Sequence, residues 1–352
     1  MGKIISGIQQ IGIGIPDLEQ AWRWYRLAFG MDVPIFQESA EAPLMFNYTG
    51  GKVHSRNAVL ALNLQGGGGF EIWQYTSRKT EQAKFDIQLG DYGIYITRIR
   101  SKDVEAAYEQ FRSKRYDLLN GIVKDPAGDK HFFIRDPYGM IFQVVKGDEW
   151  FSKKKYLTGG SDGCIIGVSD IERSRELYSD ILGYDKVVYD EKGVFEDFSN
   201  LPGGEFEVRR VLLERTKPVQ GNFSRLLGGG KIELIKVFGR EPRKIFENRF
   251  WGDLGFIHLC FDIIGMVALK EECTEKGFPF TVESGDSFEM GETESRFSYI
   301  EDPDGTLIEF VETQKIPIIK KIGWYLHLEK RKPGKPLPNW MLRSLSFNKV
   351  KD

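Results

Sequence analysis

Two polar side chains occupy strands that are otherwise apolar. His258 lies in the run FIHLCF, where it shares a strand face with Cys260. Glu309 lies in the run TLIEFV and shares a face with Leu307 and Val311. A lone carboxylate on a core face is costly unless it is paired or bound to a metal ion. Because imidazole and carboxylate groups are ligands of Mn²⁺, Fe²⁺, Co²⁺, Ni²⁺ and Zn²⁺, these positions are candidates for a metal site.

The chain repeats itself at a distance of about 150–170 residues, which corresponds to one average domain. The run GGGGFE ending at Glu71 recurs as GGGKIE ending at Glu233. The run DPYGMIFQ ending at Gln143 recurs as DPDGTLIE ending at Glu309. These repeats indicate that the 352-residue chain contains an internal duplication, and its two halves can be compared position by position.

The spacing of apolar residues predicts four units in which a strand precedes a helix and further strands follow, an α+β arrangement. The predicted helices are Leu18–Phe29, Asp103–Arg112, Ile171–Ile181 and Met266–Lys276. In the first unit the strands predicted after the helix are Pro43–Tyr48, Asn57–Leu64 and Phe70–Tyr75. Tight turns at Asp136–Gly139 and Asp302–Gly305 separate the last two strands of the second and fourth units.

Four βαβββ units in this order, with a late Asp-Pro-x-Gly turn, resemble the vicinal oxygen chelate superfamily. This group includes glyoxalase I, bleomycin resistance proteins, extradiol dioxygenases and 4-hydroxyphenylpyruvate dioxygenase, and the resemblance covers about residues 5–313. It implies four modules paired into two open, cup-shaped β-barrels with helices outside. We expect an N-terminal domain over 1–150 and a C-terminal domain over 161–313, each a cup of two modules, joined near Glu149–Gly160.

In this superfamily the metal ligands come from the first and last strands of a module. In this chain those positions carry Gln10, Glu71, Tyr95 and Gln143 in the first half, and Gly163, Glu233, His258 and Glu309 in the second. The resemblance thus implies one divalent ion (Fe, Mn, Ni, Co or Zn) held by Glu233, His258 and Glu309. Glu233 would also be the catalytic base, and the N-terminal half would be metal-free. Secondary candidates are Gln10, Glu71, Cys260 and Tyr299.

The function that the resemblance implies is a metal-dependent enzyme that chelates vicinal oxygens of a small substrate. Its chemistry would be glyoxalase-like proton transfer, or a lyase or isomerase reaction. One alternative is a ring-cleaving or 2-oxoacid dioxygenase with a rebuilt iron site, because Gly163 stands where the facial triad has its first histidine. Another is a non-catalytic protein that binds a small molecule, as the resistance proteins of this fold do.

The composition is that of an ordinary soluble protein. A net charge of −2 gives no reason to expect a nucleic-acid partner. Three cysteines in no paired pattern favour a reducing compartment, and no uninterrupted apolar run approaches 18 residues. We expect a cytoplasmic monomer or homodimer. The basic tail, 314–352, also carries aromatic residues, and we expect it to pack as a lid over the C-terminal barrel, with helix after Pro338.

Overall fold

The first two modules follow the predicted order of a strand, a helix and further strands. The computed structural model describes residues 2–153, 156–285, 288–290, 293–319 and 324–351. Module 1 comprises β1 (Ile4–Gly14), α1 (Leu18–Phe29), β2 (Val33–Glu41), a 3₁₀ helix (Pro43–Tyr48), β3 (Ser55–Leu62) and β4 (Gly69–Tyr75). Module 2 comprises β5 (Gly93–Ser101), α2 (Val104–Ser113), β6 (Asp117–Leu118), β7 (Val123–Lys124), β8 (Lys130–Arg135) and β9 (Ile141–Lys146).

The second half repeats this order and adds the tail. Module 3 comprises β10 (Thr158–Gly167), α3 (Ile171–Arg175) with a π-helical continuation (Glu176–Ile181), β11 (Lys186–Gly193), a 3₁₀ turn (Glu196–Phe198), β12 (Val208–Glu214), α4 (Ser224–Leu227) and β13 (Lys231–Val237). Module 4 comprises β14 (Gly255–Ile264), α5 (Met266–Glu275), β15 (Val282–Glu283), β16 (Phe288–Met290), β17 (Thr293–Glu301) and β18 (Leu307–Ile319). The tail adds β19 (Trp324–His327), α6 (Asn339–Ser344) and a 3₁₀ turn (Leu345–Asn348).

The strands form two curled mixed sheets, and each sheet takes one module from each half of the chain. The first has the order β15-β17-β18-β14-β1-β4-β3-β2, so it joins modules 1 and 4; we call it the first cup. The second has the order β11-β12-β13-β10-β5-β9-β8-β6, so it joins modules 2 and 3; we call it the second cup. The α+β fold of paired, cup-shaped modules with helices outside is confirmed. The expectation that each half builds its own cup is wrong, because β1 pairs with β14 and β5 with β10.

Strand alternation separates the inside of each cup from the outside. On β4, Phe70 and Ile72 belong to the large core shared with the module helices, whereas Trp73 and Tyr75 belong to a second cluster inside the first cup. Each module helix contributes its apolar face to that large core. The helices therefore pack against the outer faces of both sheets, and Glu71, two residues before Trp73, faces the interior of the first cup.

A repeated tyrosine–aspartate pair joins the two modules within each half. The Tyr25 hydroxyl on α1 donates to Asp136 at 2.7 Å, and the Tyr178 hydroxyl donates to Asp302 at 2.9 Å. Burial raises the pKa of Asp136 and of Asp302 to about 6, although these hydrogen bonds oppose the rise. Modules 1 and 2 are thus joined through their helices and turns, whereas the cups form between the halves.

The predicted helices are confirmed, and one predicted strand is wrong. Asp17 caps α1 by accepting from the backbone N–H of Gln20 at 3.0 Å, and Gly30 ends the helix with φ of 67°. Pro43–Tyr48 is a 3₁₀ helix rather than a strand. Proline is favoured at the first helical position because its missing N–H would be unpaired there in any case.

The tail packs against the body of the protein. Leu328, Leu337 and Leu342 are buried in the apolar cluster of the first cup. The Lys349 ammonium lies 2.6 Å from the Asp32 carboxylate. Helix follows Pro338, as predicted. The expected lid, 314–352, includes residues 320–323 and 352, which lie outside the described residues. No helix in the described part of the chain is long and apolar enough to cross a membrane.

Candidate metal centre

Four side chains from the central strands of the first cup converge on one point. The His258 Nε2 atom lies 3.1 Å from Glu309 Oε2 and 3.4 Å from Glu71 Oε2. The Gln10 amide nitrogen lies 3.4 Å from the Glu71 carboxylate and 3.3 Å from that of Glu309. Glu71, His258 and Glu309 each offer a ligand atom, and these atoms all lie within 4.8 Å of one another. This separation is what ligands spaced around one metal ion require, since each lies about 2.0–2.2 Å from it.

The strand register explains the convergence. Gln10 lies on β1, beside β4 and β14, and β18 lies beyond β14. On β1, Gly12 is paired in register with His258 on β14 and with Glu71 on β4. A Cβ atom on Gly12 would lie 2.4–2.7 Å from three imidazole atoms of His258. Glycine is therefore needed here because any side chain would occupy the space of the histidine ring.

Burial and the charge interactions within the cluster together set its protonation. Burial raises the pKa of Glu71 to about 7, and the nearby negative charge of Glu309 adds to the rise. Burial opposes a charged His258, but the two carboxylates outweigh it and raise the pKa of that imidazole. Burial likewise opposes a charged Glu309, yet His258 and hydrogen bonds from Tyr299 and Cys260 lower its pKa. The cluster thus combines an ionised Glu309, a readily protonated His258 and a Glu71 that titrates near neutrality.

Aromatic side chains hold His258 in place. The Trp251 ring lies nearly parallel to the imidazole, with centroids 6.4 Å apart, and the Tyr299 ring meets it edge-on at 5.5 Å. A cavity of about 60 Å³ opens beside Glu71 and Glu309. Its walls include Pro43, Met45, Arg56, Trp73, Trp251, Phe297 and Tyr299. A small, partly apolar molecule could therefore lie directly against the cluster.

The residues present fit a divalent metal ion. Two buried carboxylates face the same imidazole nitrogen, which is an arrangement that a cation stabilises. The side-chain oxygen of Gln10 is buried with no hydrogen-bond partner. A mixed set of nitrogen and oxygen donors suits Mn²⁺, Fe²⁺, Co²⁺, Ni²⁺ or Zn²⁺. Cys260 is fully buried and hydrogen-bonds to Glu309, but it does not belong to the group of ligand atoms that converge.

The expected convergence of Glu233 with His258 and Glu309 is wrong, because Glu233 lies in the second cup. Its carboxylate accepts from Arg210 Nε at 2.6 Å and from the Tyr189 hydroxyl at 2.8 Å. Arg210 also makes two contacts of 2.8 and 2.9 Å with Asp197. A buried cluster of Arg210 with two carboxylates, approached by Arg98 at 3.8 Å from Glu233, thus occupies the region that corresponds to the metal centre of the first cup.

The register of the second cup shows which residues lie at the positions of the other three ligands. Gly163 corresponds to Gln10, and Gln143 on β9 corresponds to Glu309 on β18. Ile96, one residue after the Tyr95 that the sequence comparison selected, corresponds to His258. Only the glutamate remains, so the second cup lacks a ligand set among its described residues.

The residues that the sequence ranked second, Gln10 and Glu71, complete the centre with His258 and Glu309. One difference in the sequence could have indicated Glu71 rather than Glu233 as the ligand. Ala58 on β3 and Arg210 on β12 occupy equivalent positions beside Glu71 and Glu233. Alanine makes no ion pair with the Glu71 carboxylate, whereas the arginine on β12 makes one with Glu233 at 2.6 Å.

Family comparison agrees with this architecture. The family model described as the Glyoxalase/Bleomycin resistance protein/Dioxygenase superfamily matches residues 7–144 and 160–310. The chain therefore belongs to this superfamily, with one matched region in each half. No curated protein matches the chain.

Solved structures with a similar fold include two enzymes of named type. A putative dioxygenase from Bacillus subtilis subsp. subtilis str. 168 is 13% identical, with a TM-score of 0.56, over 99% of this chain and 98% of its own. Glyoxalase I from Zea mays is 14% identical, with a TM-score of 0.51, over 99% of this chain and 96% of its own. At these identities the likeness shows the fold, and the activity has to be argued from the site.

Proposed function

We propose that the protein is a divalent-metal-dependent enzyme whose single metal centre is formed by Gln10, Glu71, His258 and Glu309. The observation that carries this proposal is the convergence of one amide, one imidazole and two carboxylates inside the first cup. Glyoxalase I-like sites of this superfamily likewise use two last-strand carboxylates with a glutamine or histidine from each first strand. The first cup offers all four members of such a set.

The chemistry we propose is proton transfer next to a carbonyl group. A bound divalent ion would polarise a substrate oxygen as a Lewis acid. Glu309 is held by Tyr299 and Cys260, so it serves as a fixed ligand. Glu71, which lines the cavity, is the base that would take the proton on its carboxylate oxygen. The catalytic role predicted for Glu233 is thus proposed for Glu71, its counterpart in module 1.

Metal content tests the proposal most directly. Protein purified without a chelator should hold about one divalent ion per chain, as measured by elemental analysis. His258→Ala and Glu71→Gln should each weaken retention at least about tenfold. Glu233→Gln is the matched control in the second cup: it should lower thermal stability, because Arg210 loses one of its two carboxylate partners, but leave metal content unchanged. Metal loss in Glu233→Gln with retention in Glu71→Gln would contradict the assignment.

Catalysis is tested by deuterium exchange. Metal-loaded protein in D₂O should incorporate deuterium next to the carbonyl of a simple α-hydroxyketone, followed by NMR. Glu71→Asp should retain part of the exchange and Glu71→Gln almost none.

Oxygen uptake separates the proposed activity from a dioxygenase, which is the second candidate because one neighbour of the same fold carries that name. The facial triad of such iron enzymes has two histidines and one carboxylate, whereas this centre has one histidine and two carboxylates. We therefore expect no oxygen consumption coupled to the exchange reaction. Stoichiometric uptake would favour the dioxygenase. Absence of bound metal would favour the third reading, a small-molecule binding protein.

We also place the protein in a reducing compartment, the cytoplasm. The support is that Cys164, Cys260 and Cys273 are all free and buried.

A further inference from the structure

One wall of the cavity beside the metal centre is formed by the segment that joins β2 to β3. Four consecutive residues of this segment, Ala42–Met45, line the cavity. Met45 is the member of this group that is buried in the apolar cluster of the first cup. The cavity has a volume of about 60 Å³, which is room for roughly five water molecules. This segment therefore bounds the space in which a substrate of the metal centre would lie.

The same segment recurs in module 3, between β11 and β12. The run MFNYTGG, which begins at Met45, corresponds to FSNLPGG, which begins at Phe198, with the asparagine and both glycines at the same spacing. Strand pairing gives the same alignment, because the two residues each lie five positions after Ala40 and Gly193, which occupy equivalent register positions on β2 and β11. Met45 in the first cup therefore corresponds to Phe198 in the second.

In the second cup this segment packs into the interior. Phe198 is fully buried, and the guanidinium carbon of Arg210 lies 3.8 Å from the centre of its ring. Asp197, the preceding residue, makes an ion pair with Arg210 at 2.8 Å. The first cup has Met45 in place of Phe198 and Ala58 in place of Arg210. Because protein interiors are close-packed, the smaller side chains at these two positions leave the space in which the cavity of the first cup lies.

We propose that Met45 is the specificity-determining residue of the metal centre, and that it limits the substrate to about five non-hydrogen atoms. The proposal rests on the proposed function, in which the substrate chelates the metal through two vicinal oxygens. Two oxygens and three carbon atoms fill this space, so the substrate class is a three-carbon hydroxycarbonyl compound. Trp73 and Trp251 also line the cavity, and their rings pack against each other with centres 4.6 Å apart, so they form a fixed wall. Met45 is the wall that sets the remaining size.

Acetohydroxamate and benzohydroxamate test this limit, because they carry the same chelating pair of oxygens and differ in the size of the attached group. Binding is measured by titration calorimetry on full-length protein loaded with Zn²⁺, with the metal content of each sample determined. We expect wild-type protein to bind acetohydroxamate at least about tenfold more tightly than benzohydroxamate. Met45→Ala should reduce this preference to less than about threefold. Met45→Phe, the residue type of the second cup, should weaken the binding of acetohydroxamate itself at least about tenfold.

Phe46→Ala is the matched control for these variants. Phe46 follows Met45 in the same 3₁₀ helix, but it is 47% exposed and is not among the residues that line the cavity. Loss of its ring should therefore leave the preference of wild-type protein unchanged. Met45→Leu, which nearly conserves the side-chain volume, should also retain it.

The outcomes separate the size limit from the proposed function. A preference that survives in Met45→Ala would show that another residue sets the size. Metal-loaded wild-type protein that binds both probes equally, or neither, would overturn the size limit and leave the metal centre standing. Wild-type protein that takes up no metal would overturn the proposed function, and the size limit with it. Because the wild-type comparison needs no variant, the test holds even if Met45→Ala fails to fold.

Discussion

The contact between Gly12 and His258 shows how a residue without a side chain contributes to the metal centre. We predict that Gly12→Ala weakens metal retention at least about tenfold, because a methyl group 2.4–2.7 Å from the imidazole must displace it. Elemental analysis and a metal titration measure the loss. Gly193→Ala is the control, since a Cβ there meets nothing within 4 Å. Retention equal to wild type in Gly12→Ala would mean that His258 is not held by this contact.

Asp262 gives a pH-dependent prediction that is independent of the metal. Burial, with a smaller contribution from Glu312, raises the pKa of Asp262 to about 8. The folded protein therefore keeps this proton above the usual aspartate pKa of 3.8, whereas the unfolded chain releases it. The stability associated with Asp262 is complete below about pH 4 and is lost as the pH rises towards 8, at about 1.4 kcal/mol per pH unit.

We accordingly predict that Asp262→Asn gains stability relative to wild type as the pH rises from 5 to 8. Urea unfolding at several pH values measures the free energy of unfolding of both proteins. Asp185→Asn is a control whose difference from wild type should stay constant from pH 5 to 8, because a backbone hydrogen bond from Thr216 lowers the pKa of Asp185 and its contribution changes only below about pH 4. Parallel pH curves for wild type and Asp262→Asn would show that this carboxyl titrates normally in the folded state.

Among the elements, the tail joins the first cup through a few apolar residues. Leu337 is fully buried, whereas Trp340, three residues later, is 65% exposed. We predict that Leu337→Ala lowers the free energy of unfolding by about 2–4 kcal/mol, the usual cost of a cavity in a packed core. Trp340→Ala should change it by less than about 0.5 kcal/mol. Equal effects would mean that the tail does not share the core of the cup.

The helices show how far local sequence patterns could predict the elements. Asp17 and Gly30 bracket α1 because a cap and a left-handed glycine act within a few residues of the helix ends. The sequence predicts a strand at Pro43–Tyr48, where the structure has a 3₁₀ helix, because a short apolar run does not by itself fix a period. Local chemistry thus predicts the elements, with errors where the segments are shortest.

At the scale of the whole molecule, the partner of each module could not be predicted from its own residues. The first strands of the four modules have similar patterns of apolar residues. The alternation of side chains along such a strand predicts which side chains point into a cup, but it does not predict which other strand pairs with it. The error about the site followed from this. The sequence correctly predicts that His258 and Glu309 lie close together, but it predicts Glu233 as their partner because Glu233 lies in the same half. The equivalent Glu71 lies beside them across the β1–β14 pairing.

This arrangement predicts that neither half alone holds the metal. A fragment of residues 161–352 contains His258 and Glu309 but lacks Gln10 and Glu71, and we expect it to retain almost none. Co-expression with residues 1–160 should restore about one ion per complex, measured by elemental analysis of the co-purified pair. A stoichiometric metal ion in the isolated fragment 161–352 would contradict the cross-half centre.

The pairing between halves also governs how genes for such proteins can recombine. A crossover between the coding sequences of the two halves would take Gln10 and Glu71 from one parent and His258 and Glu309 from the other. Both cups of the resulting chimaera would be hybrids, since each sheet draws one module from each half. In a protein with independent domains, the same breakpoint would leave each parental site intact. Here a breakpoint between the two halves, where the sequence suggests a domain boundary, divides the candidate metal centre.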